Sequence, residues 1–330
     1  MLDIITHPIF LWILFGLIIS GLFMWALTYI IASYFVYTKT LSRVSKESWS
    51  RDIPSSIDEE SIKMYSSGLK WAEDNKEYKI DVHMVNEGLN LYGEYYDFGK
   101  KTCAVILSGR TESLKYGYYF APSYYHKCNI LVLDPRAHGL SDGRFNTVGF
   151  EESKDITNWV KFMHDEYNLD SFIFHGICIG AAGGVLSVIL RDCPYVKAIV
   201  TEGMFPRFYE SMKNNLIVKK KPVFIFIDLI DFWMKHYTGH SMKFGPYDVI
   251  DKLDVPLLML NSKKDQSSKP DFAQKLFDKA GSKIKEIVWF DEGKHSMIRI
   301  NNMEKYDKAI NEFLDKVVES NYDKIKEMGD

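Results

Sequence analysis

The first hydrophobic segment of the chain runs without a charged residue from Phe10 to Tyr37, "FLWILFGLIISGLFMWALTYIIASYFVY". At about 1.5 Å per helical residue, this segment is long enough to cross a hydrocarbon core of about 30 Å with some tilt. The preceding "MLDIITHP" contains no lysine or arginine, unlike the basic start of a cleaved signal peptide. The pattern therefore predicts a transmembrane anchor over residues 1–38.

Beyond the anchor the hydrophobic pattern changes twice. Residues 39–76 are polar and charged and predict a linker with one helix, for which Ser55 or Ser56 is the expected cap. From residue 77 to residue 330 short apolar runs alternate with amphipathic stretches. The strand-like runs are "YKIDVHMV", "LNLYGEYYDF", "CAVIL", "NILVLD", "SFIFHG", "VKAIVTEG", "VPLLMLNS" and "KEIVWFD". A hairpin followed by strand–helix alternation predicts an α/β domain with a mostly parallel sheet covered on both faces.

Composition narrows the class of protein. The chain of 330 residues is 46% hydrophobic and 26% charged, which is typical of a globular protein. A net charge of -3, with no basic stripe interleaved with aromatics, argues against nucleic acid as a partner. Four cysteines without C-x-x-C spacing argue against a disulfide framework and a zinc site. The sequence shows no cofactor or metal motif.

Charge around the anchor predicts its orientation. The C-terminal side of the apolar segment carries Lys39, Arg43, Lys46 and Arg51, and the N-terminal side carries no lysine or arginine. By the positive-inside tendency, this asymmetry predicts a single-pass protein with its body in the cytoplasm. Reduced cysteines fit that compartment.

The stretch "HGICIG", residues 175–180, has the spacing of the G-x-S-x-G turn that presents a nucleophile, with Cys178 in place of serine. Gly176 and Gly180 supply the small residues that a sharp strand-to-helix turn needs. The helix that follows directs free N–H groups and its positive end at the side chain, which favours a thiolate. Cysteine is therefore a chemically apt nucleophile here.

Together with three other motifs, this turn resembles the α/β-hydrolase fold over roughly residues 78–318. "LDPRAHGLSDG" is similar to the D-x-R-G-H-G-x-S-x-G loop after the fourth strand of that superfamily, with Ala137 for the first glycine. "NSKKD" carries an acid after the next-to-last strand, and "FDEGKHSM" carries a histidine after the last strand. The resemblance implies a triad of Cys178 as nucleophile, His295 as base and Asp265 as orienting acid, in the chain order of the fold.

The resemblance also implies an oxyanion hole. One donor is the N–H of Ile179, the residue after the nucleophile, and the second is the N–H of Arg110 in the loop after the third strand. Ser108 and Gly109 stand where many relatives have His-Gly. An inward-facing Arg110 side chain would favour a carboxylate or phosphate on the substrate, and a solvent-facing side chain is the alternative.

Several other residues compete for catalytic roles. Ser141 lies at the centre of a literal G-x-S-x-G, "GLSDG", but loop-like sequence follows it where an elbow needs a helix. His138 is expected to be structural, and His175 to be a packed histidine at a strand end. Asp291 and Glu292 are close enough to His295 to substitute for the acid, although solvated loop carboxylates are the alternative.

An insertion of about residues 204–254 separates the sixth and seventh strands, where such hydrolases carry a cap. It contains "KKKPVFIFIDLIDFWMKHY", Lys219 to Tyr237, three lysines followed by an aromatic-rich apolar run. This segment could line an acyl-chain pocket, lie at a membrane interface, or simply pack on the body as a cap helix.

These features predict a membrane-anchored acyl hydrolase of the carboxylesterase or thioesterase type, which acts on a small-molecule or lipid-like acyl substrate. An acyltransferase with the same acyl-cysteine intermediate is one alternative, since relatives with cysteine at the elbow, such as bile-acid acyltransferases and dienelactone hydrolases, use it catalytically. A catalytically inert binding protein is the other. The sequence predicts no protein partner.

Overall fold

The computed structural model describes residues 8–43, 58–110, 112–124 and 126–327, with side chains described up to residue 319. The elements in chain order are α1 (Pro8–Leu41), α2 (Glu59–Asp74), β1 (Lys79–Asn86), β2 (Leu89–Tyr96), β3 (Thr102–Leu107), α3 (Leu114–Gly117), β4 (Asn129–Leu133), α4 (Phe150–Tyr167), β5 (Ser171–Ile177), α5 (Ile179–Arg191), β6 (Val196–Glu202), α6 (Phe208–Val218), α7 (Phe226–Thr238), α8 (Pro246–Val249), β7 (Leu257–Ser262), α9 (Pro270–Lys279), β8 (Lys285–Phe290), α10 (Ile298–Asn301) and α11 (Met303–Glu327).

The strands form one sheet in the order β1-β2-β4-β3-β5-β6-β7-β8. The β1–β2 and β2–β4 pairs are antiparallel, and the other five pairs are parallel. A two-residue turn joins β1 to β2, and both of its residues, Glu87 and Gly88, have positive φ, which matches the twist of a tight hairpin. The predicted α/β class and mostly parallel sheet are confirmed.

Each face of the sheet carries its own apolar cluster. In β3, for example, Ala104 and Ile106 belong to one cluster, while Val105 and Leu107 belong to the other. This follows from the alternation of side chains along a strand that is covered on both sides. The continuous apolar runs of the sequence are thereby explained.

Helix α1 has two parts with different surroundings. Residues 8–28 are exposed except for Ala26, and α1 is long and apolar enough to span a membrane. Beyond them a buried or half-buried stripe recurs at helical spacing, with Tyr29, Ser33 and Tyr37 on one face. The helix ends at Leu41, three residues past the end expected for the anchor, so its last turns belong to the packed body.

Two arginines hold the C-terminal end of α1 on the body. The Arg43 guanidinium donates to the carbonyls of Ser141 (2.7 Å) and Gly139 (2.6 Å). Arg110 donates to the carbonyl of Thr40 at 3.3 Å. Cations at a helix C-terminus are favourable because the last carbonyls carry partial negative charge.

The segment between β6 and β7 carries α6, α7 and α8, as a cap insertion requires. Helix α7 packs along α1: the Trp233 indole N–H donates to the Ser33 hydroxyl at 3.0 Å, and the Tyr37 and Tyr237 rings stack with centroids 5.7 Å apart. The cap is therefore held between the sheet domain and the N-terminal helix.

Helix α2 fills the predicted position between anchor and sheet. The described helix is capped by Asp58, whose carboxylate accepts the Ser61 N–H. The caps expected from sequence, Ser55 and Ser56, lie outside the described residues.

The loop after β4 is fixed by a buried ion pair. Arg136 makes two hydrogen bonds to Asp155 on α4, at 2.6 and 2.7 Å, and Asn86 donates to the same carboxylate at 2.6 Å. Burial raises the pKa of Asp155, an effect that Arg136 opposes. The pair thus joins the loop, α4 and the β1–β2 hairpin.

Replacing Arg136 by methionine should destabilise the fold, because the Asp155 carboxylate would remain buried without its partner. We expect a loss of roughly 3 kcal/mol in the free energy of unfolding, measured by chemical denaturation of the full chain in detergent. The control is Lys70→Met, which breaks the exposed Lys70–Asp74 pair and should cost at most about 0.5 kcal/mol. Equal losses in both variants would contradict the role given to Arg136.

Candidate active site

The turn between β5 and α5 holds Cys178 in a strained backbone conformation. Its φ is 53° and its ψ is -109°, and α5 begins at the next residue. A Cβ on Gly176 would lie 2.4 Å from the Ala181 Cα, and a Cβ on Gly180 would lie 2.1 Å from the Leu107 carbonyl oxygen. Only glycine fits at these two positions. The thiol is therefore presented at the N-terminus of a helix, on a turn that the neighbouring chain locks in place.

The structure brings Cys178, Asp265 and His295 together. The Nδ1 atom of His295 lies 2.7 Å from an Asp265 carboxylate oxygen. The other carboxylate oxygen accepts the N–H groups of Ser267 and Ser268, at 2.7 and 2.8 Å, which fixes the orientation of Asp265. Cys178 lies close enough to His295 for the sulfur to raise the pKa of the histidine. Since Asp265 occupies Nδ1, Nε2 is the nitrogen that remains for the thiol.

The electrostatics of His295 favour its charged form. Burial alone lowers the pKa of His295, but the charge of Cys178, the charge of Asp265 and hydrogen bonds to both raise that pKa well above its usual value. An imidazolium beside a sulfur stabilises the thiolate, which is the reactive form of cysteine. The arrangement is chemically suited to a Cys-His ion pair oriented by an acid.

Comparison with known structures identifies the fold. The esterase Pf2001 from Pyrococcus furiosus superposes with a TM-score of 0.63 at 20% identity, covering 74% of this chain and 93% of that chain. The esterase EaEST from Exiguobacterium antarcticum superposes with a TM-score of 0.54 at 15% identity, covering 72% of this chain and 100% of that chain. The chain has the α/β-hydrolase fold.

Sequence comparison is less informative than the fold. A Bacillus subtilis (strain 168) protein, "Uncharacterized protein YqkD", is 28% identical over 222 residues, which cover 66% of this chain and 71% of that protein. No protein-family model matches the chain.

The oxyanion donors expected of an α/β-hydrolase lie at the carboxyl ends of β3 and β5. Ile179 is buried at the first position of α5. Arg110 follows β3, and its backbone N–H stays the predicted second donor. Its side chain is half-buried and donates to the Thr40 carbonyl in α1.

The competing residues take structural positions. The Ser141 hydroxyl is fully buried, donates to the Asp134 carbonyl at 2.7 Å and accepts the Tyr92 N–H. His138 is fully buried, and burial lowers its pKa to about 4. Asp291 and Glu292 are exposed, and each pairs with a lysine, Lys263 and Lys264 respectively.

Other thiols differ from Cys178. Cys103, Cys128 and Cys193 are buried, and burial raises the pKa of each, to about 12 for Cys128 and about 11 for Cys193. Cys178 is partly exposed. Within the described ranges, no group of three His, Cys, Asp or Glu side chains could hold a metal ion.

Gly203, directly after β6, is a site residue that the sequence reasoning missed. A Cβ there would lie 2.9 Å from His295 Cε1, 3.0 Å from His295 Nδ1 and 3.3 Å from Asp265 Oδ2, and the φ of Gly203 is +62°. The histidine–acid pair needs this space. The sequence did contain a signal for this residue: a glycine directly after a buried strand, at the carboxyl edge of the sheet.

Glu202, the last residue of β6, was also missed. It is fully buried, and burial raises its pKa to about 7, while hydrogen bonds from Tyr306 and the Ile298 N–H oppose that rise. The Tyr306 hydroxyl lies 2.6 Å from Glu202 and 3.0 Å from Nε2 of His175, whose Nδ1 lies 2.9 Å from the Tyr124 hydroxyl. A chain of hydrogen bonds thus runs behind the site from Tyr124 to Glu202.

Gly203→Ala should displace His295 from its partners. We expect alkylation of Cys178 by iodoacetamide at pH 6 to slow by at least about tenfold, because the thiolate loses its charged neighbour. The rate is followed by mass spectrometry of the Cys178 peptide. Gly99→Ala is the matched control, since Gly99 also has positive φ but open space around its Cα. An unchanged alkylation rate in Gly203→Ala would show that the close approach of His295 to Gly203 does not affect the reactivity of Cys178.

Glu202→Gln should change how stability depends on pH. Because the folded pKa of Glu202 is raised from 4.5 to about 7, its stabilising effect is complete below pH 4.5 and declines as pH rises towards 7. Glutamine removes this decline, which amounts to at most about 3 kcal/mol between those limits. Urea unfolding of the full chain in detergent at pH 5, 6, 7 and 8 measures the free energy of unfolding at each pH. The control is Glu304→Gln, since Glu304 is exposed. Parallel curves for wild type and Glu202→Gln would contradict the assignment.

Proposed function

We propose that this protein is a membrane-anchored acyl hydrolase that cleaves esters or thioesters through an acyl-Cys178 intermediate. The observation that carries the proposal is the 2.7 Å contact of His295 with Asp265 beside Cys178, which occupies the strained turn before α5 in an α/β-hydrolase fold. Covalent acyl transfer needs a nucleophile beside a base, and the base in turn needs an acid that orients it.

In the first half-reaction the Cys178 thiolate attacks the carbonyl carbon of the substrate. The carbonyl electrons move to oxygen, which the backbone N–H groups of Ile179 and Arg110 stabilise in this mechanism. Collapse of the tetrahedral intermediate breaks the bond to the alcohol or thiol. The His295 imidazolium donates its Nε2 proton to that leaving group, and the acyl group remains on sulfur as a thioester.

In the second half-reaction neutral His295 accepts a proton from water through Nε2. The resulting hydroxide attacks the thioester carbonyl, and the Cys178 thiolate leaves as the carboxylic acid forms. Asp265 keeps Nδ1 protonated and stabilises the imidazolium in both halves. The cycle returns the thiolate–imidazolium pair.

The surroundings of Cys178 support an apolar acyl group. Cys178 packs against two apolar clusters, and the cluster on the cap side includes Ile179, Val148 and Phe205 together with residues of α6 and α7. An acyl chain bound there would gain the free energy of leaving water, about 0.8 kcal/mol for each buried CH₂. The two neighbours described as esterases, from Pyrococcus furiosus and Exiguobacterium antarcticum, act as further support for ester chemistry.

The membrane anchor in this proposal is α1. Its exposed, uncharged first part has no function on a soluble protein, where an apolar surface of this size is a liability. In a bilayer the same surface is favourable. The cytoplasmic location of the body stays a prediction, and Arg43, one of the residues on which it was based, is engaged in hydrogen bonds that dock α1.

The decisive experiment uses the full chain in detergent with activated esters and acyl thioesters of increasing chain length. We expect turnover that falls by at least about a thousandfold in Cys178→Ala, and an acyl adduct on Cys178 that mass spectrometry detects. Cys193→Ala, which removes a buried thiol away from the site, is the control and should keep its activity. A folded protein that neither turns over nor becomes acylated across the panel would make it a binding protein.

A further inference from the structure

The exposed part of α1 matches the thickness of a membrane. Residues 8–28 extend about 31 Å at the rise of an α-helix, close to the roughly 30 Å of a hydrocarbon core. Contact with the body begins with Tyr29 and continues to the end of the helix. The body therefore begins where the membrane-length part of α1 ends.

Helices α1 and α7 run side by side in the same direction. Tyr29 packs on Phe226 with ring centroids 5.5 Å apart, Ser33 accepts the Trp233 hydrogen bond, and Tyr37 stacks on Tyr237. The contacts advance together along both helices. Consequently the first residue of α7 lies beside the point where α1 leaves the body.

The segment just before that residue forms what we call the cap tip, residues 217–225. Its apolar side chains are unusually exposed: 55% for Ile217, 51% for Val218, 81% for Phe224 and 45% for Ile225. Lys219, Lys220 and Lys221 lie between them and are exposed as well. Within the described parts of the chain, none of these lysines forms an ion pair with a carboxylate. Such a combination of apolar and cationic side chains is costly on a surface that faces only water.

We propose that the cap tip is a second membrane contact, which inserts its apolar side chains at the acyl–headgroup boundary and binds anionic phospholipid through Lys219–Lys221. The inference rests on the proposed anchor. Three observations carry it: the tip lies at the level where α1 enters the bilayer, its apolar groups are exposed, and its charge complements anionic headgroups. This contact adds to the proposed function a cap that faces the bilayer. The acyl substrate would then enter the site from the lipid phase rather than from bulk water.

A lipid surface explains the tip better than a protein partner does. Phe226, directly after the cap tip, packs on Tyr29, so the tip lies beside the part of α1 that a bilayer would cover. Basic residues directly beside an apolar insertion are typical of interfacial segments, where their stems remain in the apolar layer and their ammonium groups reach the headgroups. The lipid is therefore the occupant to which the proposal commits.

The test measures depth in the bilayer and does not depend on catalysis. The background protein is full-length Cys178→Ser, in which the three remaining cysteines are buried. One cysteine is introduced for a nitroxide label, as Leu17→Cys, Val218→Cys or Lys283→Cys. Each labelled protein is reconstituted in vesicles of phosphatidylglycerol and phosphatidylcholine. Lys283 is exposed and precedes β8, at the edge of the sheet opposite the cap. The readout is the ratio of collisions of the label with oxygen to those with a water-soluble nickel complex.

We expect this ratio at positions 17 and 218 to exceed that at position 283 by at least about threefold, since apolar layers concentrate oxygen and exclude the nickel complex. Replacing Lys219–Lys221 by glutamate should lower the ratio at position 218 to nearly that at position 283, while the ratio at position 17 remains high. Replacing the same lysines by arginine, which keeps the charge, should leave position 218 unchanged.

Two results would overturn the proposal, and they are distinguishable. A label at position 218 that resembles position 283 while position 17 is deep would refute the cap-tip contact alone and favour a protein occupant. Labels at both positions 17 and 218 in water would also refute the anchor. Neither result bears on acylation of Cys178, which the substrate panel tests separately.

Discussion

The close approach of the β5–α5 turn to the carboxyl end of β3 is the constraint on which the site depends. Gly180 packs against the Leu107 carbonyl and Gly176 against α5, at distances that leave no room for a side chain. This contact fixes the strained backbone of Cys178, the direction of α5 and the position of the Ile179 N–H at once. A larger residue at either glycine would move Cys178, the helix terminus and the Ile179 N–H together.

The remaining parts of the site follow from the order of the parallel strands. Strands β5, β6, β7 and β8 are neighbours, so the residues that follow their carboxyl ends meet at one edge of the sheet. Cys178 follows β5, Gly203 follows β6, Asp265 follows β7 and His295 follows β8. Each strand thus positions one residue of the site. Because Gly203 has no side chain, Asp265 and His295 have the space to contact each other. The rigid sheet thus positions the short loops that carry Asp265 and His295.

The sequence predicts what periodicity and local motifs encode, and it misses what depends on distant contacts. The strands were readable because buried parallel strands are continuous apolar runs, and the turn around Cys178 was readable because its glycines are local. The importance of Gly203 was not readable, since it arises from side chains about 60 and 90 residues further along the chain. The contact of the Arg110 side chain was not readable for the same reason: its partner is the end of α1, which no local pattern places beside β3. Docking of α1 on α7 likewise depends on an aromatic stripe that the overall hydrophobicity of α1 conceals.

Docking joins α1, which is long and apolar enough to span a membrane, to the sheet domain. Tyr37 and Leu41 are completely buried in the cluster that also contains Ile179 and Phe205, so the end of α1 packs into the same apolar layer that borders Cys178. Removing α1 to obtain a soluble protein would expose the faces of Tyr237 and Phe145 on which Tyr37 stacks. It would also release Arg110, which donates to the Thr40 carbonyl near the end of α1. The position of the cap therefore depends on α1. In the proposed function, where α1 is the membrane anchor, bilayer attachment and the position of the cap are mechanically linked, because the same helix determines both.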